Sequence, residues 1–192
     1  ETITFARKGF IDHSDSMGAA ARFGRGDVQW MTAGRGVVHS EMFPLLDTDG
    51  PNTVELFQIW MNLPAEDKMV EPHFTMLWSG DIPVHHHIDD AGVATDVTVI
   101  AGKYAEIAAP TPPPASWASR AEAEVAMWHV VMAPAGTITL PPAASADTTR
   151  VLYVFEGSGA IDGEAVATDT GVVVVDDRED TLLAGEGGSE MR

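Results

Sequence analysis

Short runs of alternating apolar and polar residues, each ended by a Gly or Pro cluster, recur along this chain and constrain it to antiparallel β-structure. Thr2-Ile3-Thr4-Phe5 alternates with period two, which suits a strand with one buried face. Gly24-Arg25-Gly26-Asp27 turns the chain into Val28-Gln29-Trp30-Met31. Ala33-Gly34-Arg35-Gly36 turns it again, and Val37 to Met42 resumes an extended pattern. Leu56 to Leu63 is the clearest strand of the first half and stops at Pro64. Short strands separated by such turns indicate a sandwich or a barrel.

The second half repeats the theme. Residues 64–92 read as irregular, with Pro64, Pro72, Pro83 and the run His85-His86-His87 placed in an exposed loop. Strands are expected at Val97–Ile100, Ala126–Met132, Thr137–Leu140, Val151–Phe155 and Gly171–Val175. Ala108 to Pro114 reads as a polyproline-like loop, and Arg120 to Val125 offers at most one helical turn. A chain of 192 residues holds two small domains comfortably. The expected border lies after the Pro72 region, giving 1–76 and 77–192. Glu1 opens in mid-alternation and residues 189–192 stop without turn or tail composition, so a chain cut at both ends from a longer parent is expected.

Composition excludes several function classes. With no cysteine there is no disulfide framework, thiolate metal site or Cys nucleophile, and a reducing cytoplasm fits. No leader pattern opens the chain and no apolar run reaches bilayer length, so no membrane partner is expected. The net charge of −18 is even: residues 1–96 carry 6 basic and 15 acidic side chains, residues 97–192 carry 5 and 14, and each half is −9. That field opposes phosphate backbones, so direct nucleic-acid binding is not expected.

One block is far more specific than the rest. Gly26-Asp27-Val28-Gln29-Trp30-Met31-Thr32-Ala33-Gly34-Arg35-Gly36-Val37-Val38-His39-Ser40-Glu41-Met42 resembles the signature block of the pirin family. Glu1-Thr2-Ile3-Thr4-Phe5 resembles the family's first core strand and His13-Ser14-Asp15-Ser16-Met17-Gly18 its hairpin. Lys68-Met69-Val70-Glu71-Pro72 resembles the exit from the first barrel. Val99-Ile100-Ala101-Gly102 and Leu152 to Gly157 resemble second-barrel landmarks.

The resemblance implies an all-β bicupin: two tandem cupin (jelly-roll-like) antiparallel barrels, truncated here at both ends, with a mononuclear metal in the first. Family members are described as iron-binding transcriptional co-regulators or as dioxygenases that open flavonols such as quercetin. The family's four ligands come from an H-x-H and an H-x-E motif. His39 and Glu41 occupy the second. The H-x-H would lie just before Glu1, so this chain is expected to hold its metal weakly or not at all and to be inactive alone. Fe(II) is the first expectation for the divalent metal, with Mn(II), Ni(II) or Zn(II) as alternatives. A flavonol-like small molecule is the expected ligand of an enzyme, and a protein partner that of a non-enzymatic regulatory module.

Elementary chemistry agrees with the ligand positions. Residues i and i+2 of a strand share a face, so His39 and Glu41 can aim into one cavity while Ser40 faces away. Imidazole with carboxylate suits a non-haem oxygenase metal, and Glu41 could also accept a substrate hydroxyl proton. Of the other histidines, His13 is expected in a surface or turn role, with support of a metal ligand as the alternative. His129, lying between apolar neighbours, reads as a core residue. The five tryptophans read as core or inter-barrel packing.

Overall fold

The computed structural model describes residues 1–174 and 179–185. Val175, the last residue of one expected strand, and residues 189–192 lie outside the described residues. The described chain is all-β, every strand pairing in it is antiparallel, and its helical pieces are three short 3-10 turns. Contacts divide it into two compact units, Glu1–Ile82 with Pro110–Val125, and Pro83–Ala109 with the chain from Ala126 onward. The division falls six residues beyond the 76/77 border and is discontinuous in sequence.

The first unit contains β1 (Thr2–Lys8), β2 (Phe10–Asp15), β3 (Ala20–Gly24), β4 (Asp27–Thr32), β5 (His39–Met42), β6 (Glu55–Trp60) and β7 (His73–Leu77). They form two sheets, β6-β1-β4-β7 and β3-β2-β5. Ala6 of β1, Leu56 of β6 and Met76 of β7 pack with Ile11 of β2 and Phe23 of β3, which sets the two sheets face to face. Register then fixes the inner face of each. Thr4 lies opposite Gln29, and Gln29 opposite Met76, so these share the inner face with Thr2, Met31 and Phe74. On β2 the inner positions are Ile11, His13 and Asp15.

The turns before β5 are shaped by one close approach. Gly34 has φ +50°, and a Cβ there would stand 2.1 Å from the Val70 carbonyl oxygen. The Arg35 N–H donates to that same oxygen at 3.0 Å, so the turn presses on the chain leaving the unit and only glycine fits. Pro110–Val125 holds two 3-10 turns: Ala121–Ala123 is the single turn expected within Arg120 to Val125, and Trp117–Ser119 precedes it. Arg120 between them pairs with Glu66, at 3.2 Å, and with Asp67, which ties the segment to the first unit.

The second unit contains β8 (Val84–Ile88), β9 (Ala94–Ala101), β10 (Lys103–Tyr104), β11 (Ile107–Ala108), β12 (Met127–Met132), β13 (Thr137–Leu140), β14 (Arg150–Val154), β15 (Gly159–Ile161), β16 (Glu164–Val166), β17 (Thr170–Val174) and β18 (Asp180–Ala184). Sheets β12-β9-β8 and β13-β18-β15-β16 and the pairs β14-β17 and β10-β11 surround a core of Val97, Val99, Met132, Ile138, Leu140 and Leu182. The stretch 64–92, expected to be irregular, therefore carries two strands, β7 and β8. Pairing with β4 and β9 overrides the local Pro signals there. The tryptophan expectation also needs correction: Trp30 is fully buried, but Trp60 is 80 % exposed and Trp78 and Trp117 are exposed as well.

Candidate metal centre

The hairpin β2–β3 and strand β5 build the site. β5 pairs with β2 so that Glu41 lies opposite His13 and His39 opposite Asp15. Directly opposed residues share a face, so all four side chains are on the inner face of this sheet. The outer face takes the intervening residues. Ser14 and Ser40 are hydrogen-bonded there through their hydroxyls at 3.0 Å, and Arg22 donates two hydrogen bonds to Asp12, at 2.6 and 2.7 Å. That guanidinium holds the Asp12 carboxyl below its ordinary range. Ser40 thus faces away from His39 and Glu41, as strand pleat requires.

His13 is the centre of the inner cluster. It is a strand residue and 3 % exposed, which overturns its expected surface or turn placement. Its ring stacks on Phe74 of β7 (centroids 4.8 Å) and on His39 (5.4 Å, planes 26° apart). Nε2 lies 3.1 Å from Asp15 Oδ2, and Nδ1 points toward Glu41 Oε1 at 3.8 Å. The other Asp15 oxygen accepts from the Met17 and Ala19 N–H groups at 2.9 and 3.0 Å. Burial pushes the Asp15 carboxyl up, but the His13 hydrogen bond and the two backbone N–H groups outweigh it and hold it below the usual carboxylate range. An ionised Asp15 favours the tautomer with hydrogen on His13 Nε2. The lone pair of Nδ1, which meets no hydrogen-bond partner in the protein, is then turned toward Glu41.

The donor chemistry fits a divalent metal: an imidazole and a carboxylate on one face, steadied by a second imidazole. The donor number does not suffice. Among the described residues no three His, Cys, Asp or Glu side chains gather to hold an ion, and two donors make a weak site. Exposure falls from the edge inward, with His39 exposed, Glu41 half-buried and His13 buried.

The other histidines stand apart. His85-His86-His87 is strand β8 and not a loop. His86 faces outward with Nδ1 2.7 Å from Asp96, while His85 and His87 turn to the opposite, core-facing side, His85 against the Tyr104 ring at 5.2 Å. His129 is half-buried on β12 and stacks on Phe155 at 6.0 Å.

The pirin family model matches residues 1–61, which include β1 to β6. A Pseudomonas aeruginosa protein named provisionally as a quercetin 2,3-dioxygenase is 32 % identical over 192 residues, covering 100 % of this chain and 62 % of that protein. A tomato (Solanum lycopersicum) pirin-like protein is 44 % identical over 103 residues, covering 54 % of this chain and 32 % of that one. The chain thus spans less than two thirds of the length of these relatives. Among solved structures, quercetin 2,3-dioxygenase from Acinetobacter baumannii superposes with a TM-score of 0.79 at 28 % identity, over 98 % of this chain and 62 % of that one. The signature block runs along β4, its glycine turn and β5, and the all-β fold around it is similar to that of the Acinetobacter baumannii quercetin 2,3-dioxygenase: the chain belongs to the pirin family of the cupin superfamily.

Proposed function

We propose that this chain carries the metal-site portion of a pirin-type dioxygenase acting on a flavonol-like substrate, with His39 and Glu41 as two of the protein donors. The observation that carries the reading is the placement of both on the inner face of β5, in contact with one buried imidazole, His13. An H-x-H pair preceding Glu1 would supply the remaining donors, and Fe(II) suits the mixed imidazole–carboxylate set. A metal bound there would supply Lewis-acid and redox chemistry to substrate and O2. The chain's own residues do the rest. His39 and Glu41 bind and orient, Phe74 and His13 wall off water on the buried side, and Glu41 accepts a proton from a substrate hydroxyl within hydrogen-bond reach.

The test uses the full-length protein. Metal content by elemental analysis and quercetin consumption by loss of its visible absorbance are measured for wild type, His39→Ala and Glu41→Ala. Each substitution is expected to lower metal affinity by about tenfold or more and to abolish turnover. Wild-type metal content and turnover in both variants would overturn the reading.

A further inference from the structure

The inner face of the β6-β1-β4-β7 sheet holds polar groups that the protein leaves unmet. Gln29 is 1 % exposed, and neither Oε1 nor Nε2 has a hydrogen-bond partner within the protein. Thr4, directly across the β1–β4 ladder, is equally buried, and its Oγ1 is also unpartnered. Thr2, next along the same face, is a third such residue, its Oγ1 also unpartnered. Nothing local demands polarity at these positions, since a strand accepts Val or Met at each. Buried polar groups are nearly always satisfied, because leaving one unmet destabilises the fold. Three together on one face, opposite the candidate metal donors, call for a ligand that satisfies them.

Register arranges the surroundings by depth. Ala6, Ile11, Phe23, Leu56 and Met76 close the far end with a purely apolar plug. Gln29 and Thr4 lie beside it, Gln29 paired with Met76. One inner position nearer the β5 side come Met31 and Phe74, with Phe74 against His13. His39 and Glu41 stand at the exposed edge. A molecule entering there meets charged donors first, then aromatic and thioether walls, then a neutral hydrogen-bonding floor.

We infer that Thr4 and Gln29 form a specificity pair that receives a hydroxyl group of a neutral phenolic ligand bound in the first unit. An amide and a hydroxyl both donate and accept, which matches a phenol that also does both. An anion would be desolvated there without a countercharge, so a neutral group is preferred. This deepens the function proposed above and rests on it for the ligand class. The metal and the floor are separate parts of the site and fail separately.

The experiment compares full-length wild type with the shape-preserving variants Thr4→Val and Gln29→Met, and with Thr4→Ser, which keeps the hydroxyl. Binding of quercetin and of its hydroxyl-free parent flavone is followed by quenching of tryptophan fluorescence. Melting is recorded without ligand, and metal content is measured on the same samples. Thr4→Val and Gln29→Met are expected to bind quercetin at least tenfold more weakly, with the wild-type preference for quercetin over flavone largely lost. They should melt at or above the wild-type temperature with unchanged metal content, because each removes an unmet buried polar group. Thr4→Ser should bind as wild type does. Wild-type quercetin affinity in both apolar variants, absence of quercetin binding by the wild type, or a marked fall in their melting temperature would overturn the inference. Unchanged metal content in His39→Ala would instead strike the metal reading, and Gln29-dependent quercetin binding would survive it.

Discussion

His13 stands directly across the β2–β5 ladder from Glu41, with Nδ1 3.8 Å from Glu41 Oε1 and Nε2 3.1 Å from the Asp15 carboxylate. The same ring stacks on His39. One buried side chain therefore touches both candidate donors and is itself oriented by a carboxylate anchored to two backbone N–H groups. Such outer partners typically change metal affinity by about 10–100-fold when removed.

Asp15→Asn and His13→Gln should accordingly weaken metal binding to the full-length protein by about tenfold or more. Both leave His39 and Glu41 in place. Calorimetric titration with Ni(II) or Mn(II) reads the change. Wild-type affinity in both variants would remove His13 from any role in positioning the donors.

Gly34→Ala should destabilise the protein by more than about 1 kcal/mol, because the new Cβ would meet a backbone oxygen at a residue held in the left-handed region. The Val70 carbonyl cannot retreat without losing the Arg35 hydrogen bond. A urea unfolding curve superimposable on the wild-type curve would contradict this account of the turn.

In the second unit, Asp89 accepts hydrogen bonds from the N–H groups of Val93, Ala91 and Thr137 at 2.8, 2.9 and 3.0 Å. The Val93 N–H chiefly holds its carboxyl below the ordinary range; burial opposes it, and Thr137, Ala91 and the nearby His87 add to it. A folded value below the unfolded one contributes stability that is complete above about pH 4 and is lost as pH falls through the folded value. Asp89→Ala should therefore melt below wild type at neutral pH, with the gap closing in acid. A gap of constant size down to about pH 2 would show that the Asp89 charge is not what ties Val93 and Thr137 together.

The even distribution of the −18 charge predicts negligible binding to duplex DNA at about 150 mM salt. A gel-shift titration showing a sub-micromolar, salt-sensitive complex would disprove it.

Much of the first unit was legible because its turns are punctuated by glycine and its strands alternate. The H-x-E pair could be placed on one face from pleat alone, and β5 puts it there. The burial of His13 is not legible locally because it depends on β5, whose Glu41 pairs with it from far along the chain, while its neighbours Ser16-Met17-Gly18 announce only a turn. Gln29 gave no signal for a different reason. Val28 to Thr32 are all buried, so β4 has lost the alternation that would mark which face a polar residue occupies. The run His85 to His87 reads as a loop from sequence because Pro83 and Asp89-Asp90 flank it, and only the ladder with β9 reveals a strand.

The return of Pro110–Val125 to the first unit bears on the order in which the protein can mature on the ribosome. Arg120 secures Glu66 and Asp67 only after the chain has passed through β8 to β11, which belong to the other unit. The first unit, though first to be synthesised, cannot gather its full set of contacts until residue 125 has emerged. Its completion in the cell is coupled to a stretch of its neighbour's sequence, and the nascent chain must keep the exposed β5 edge and Trp60 from pairing elsewhere during that interval.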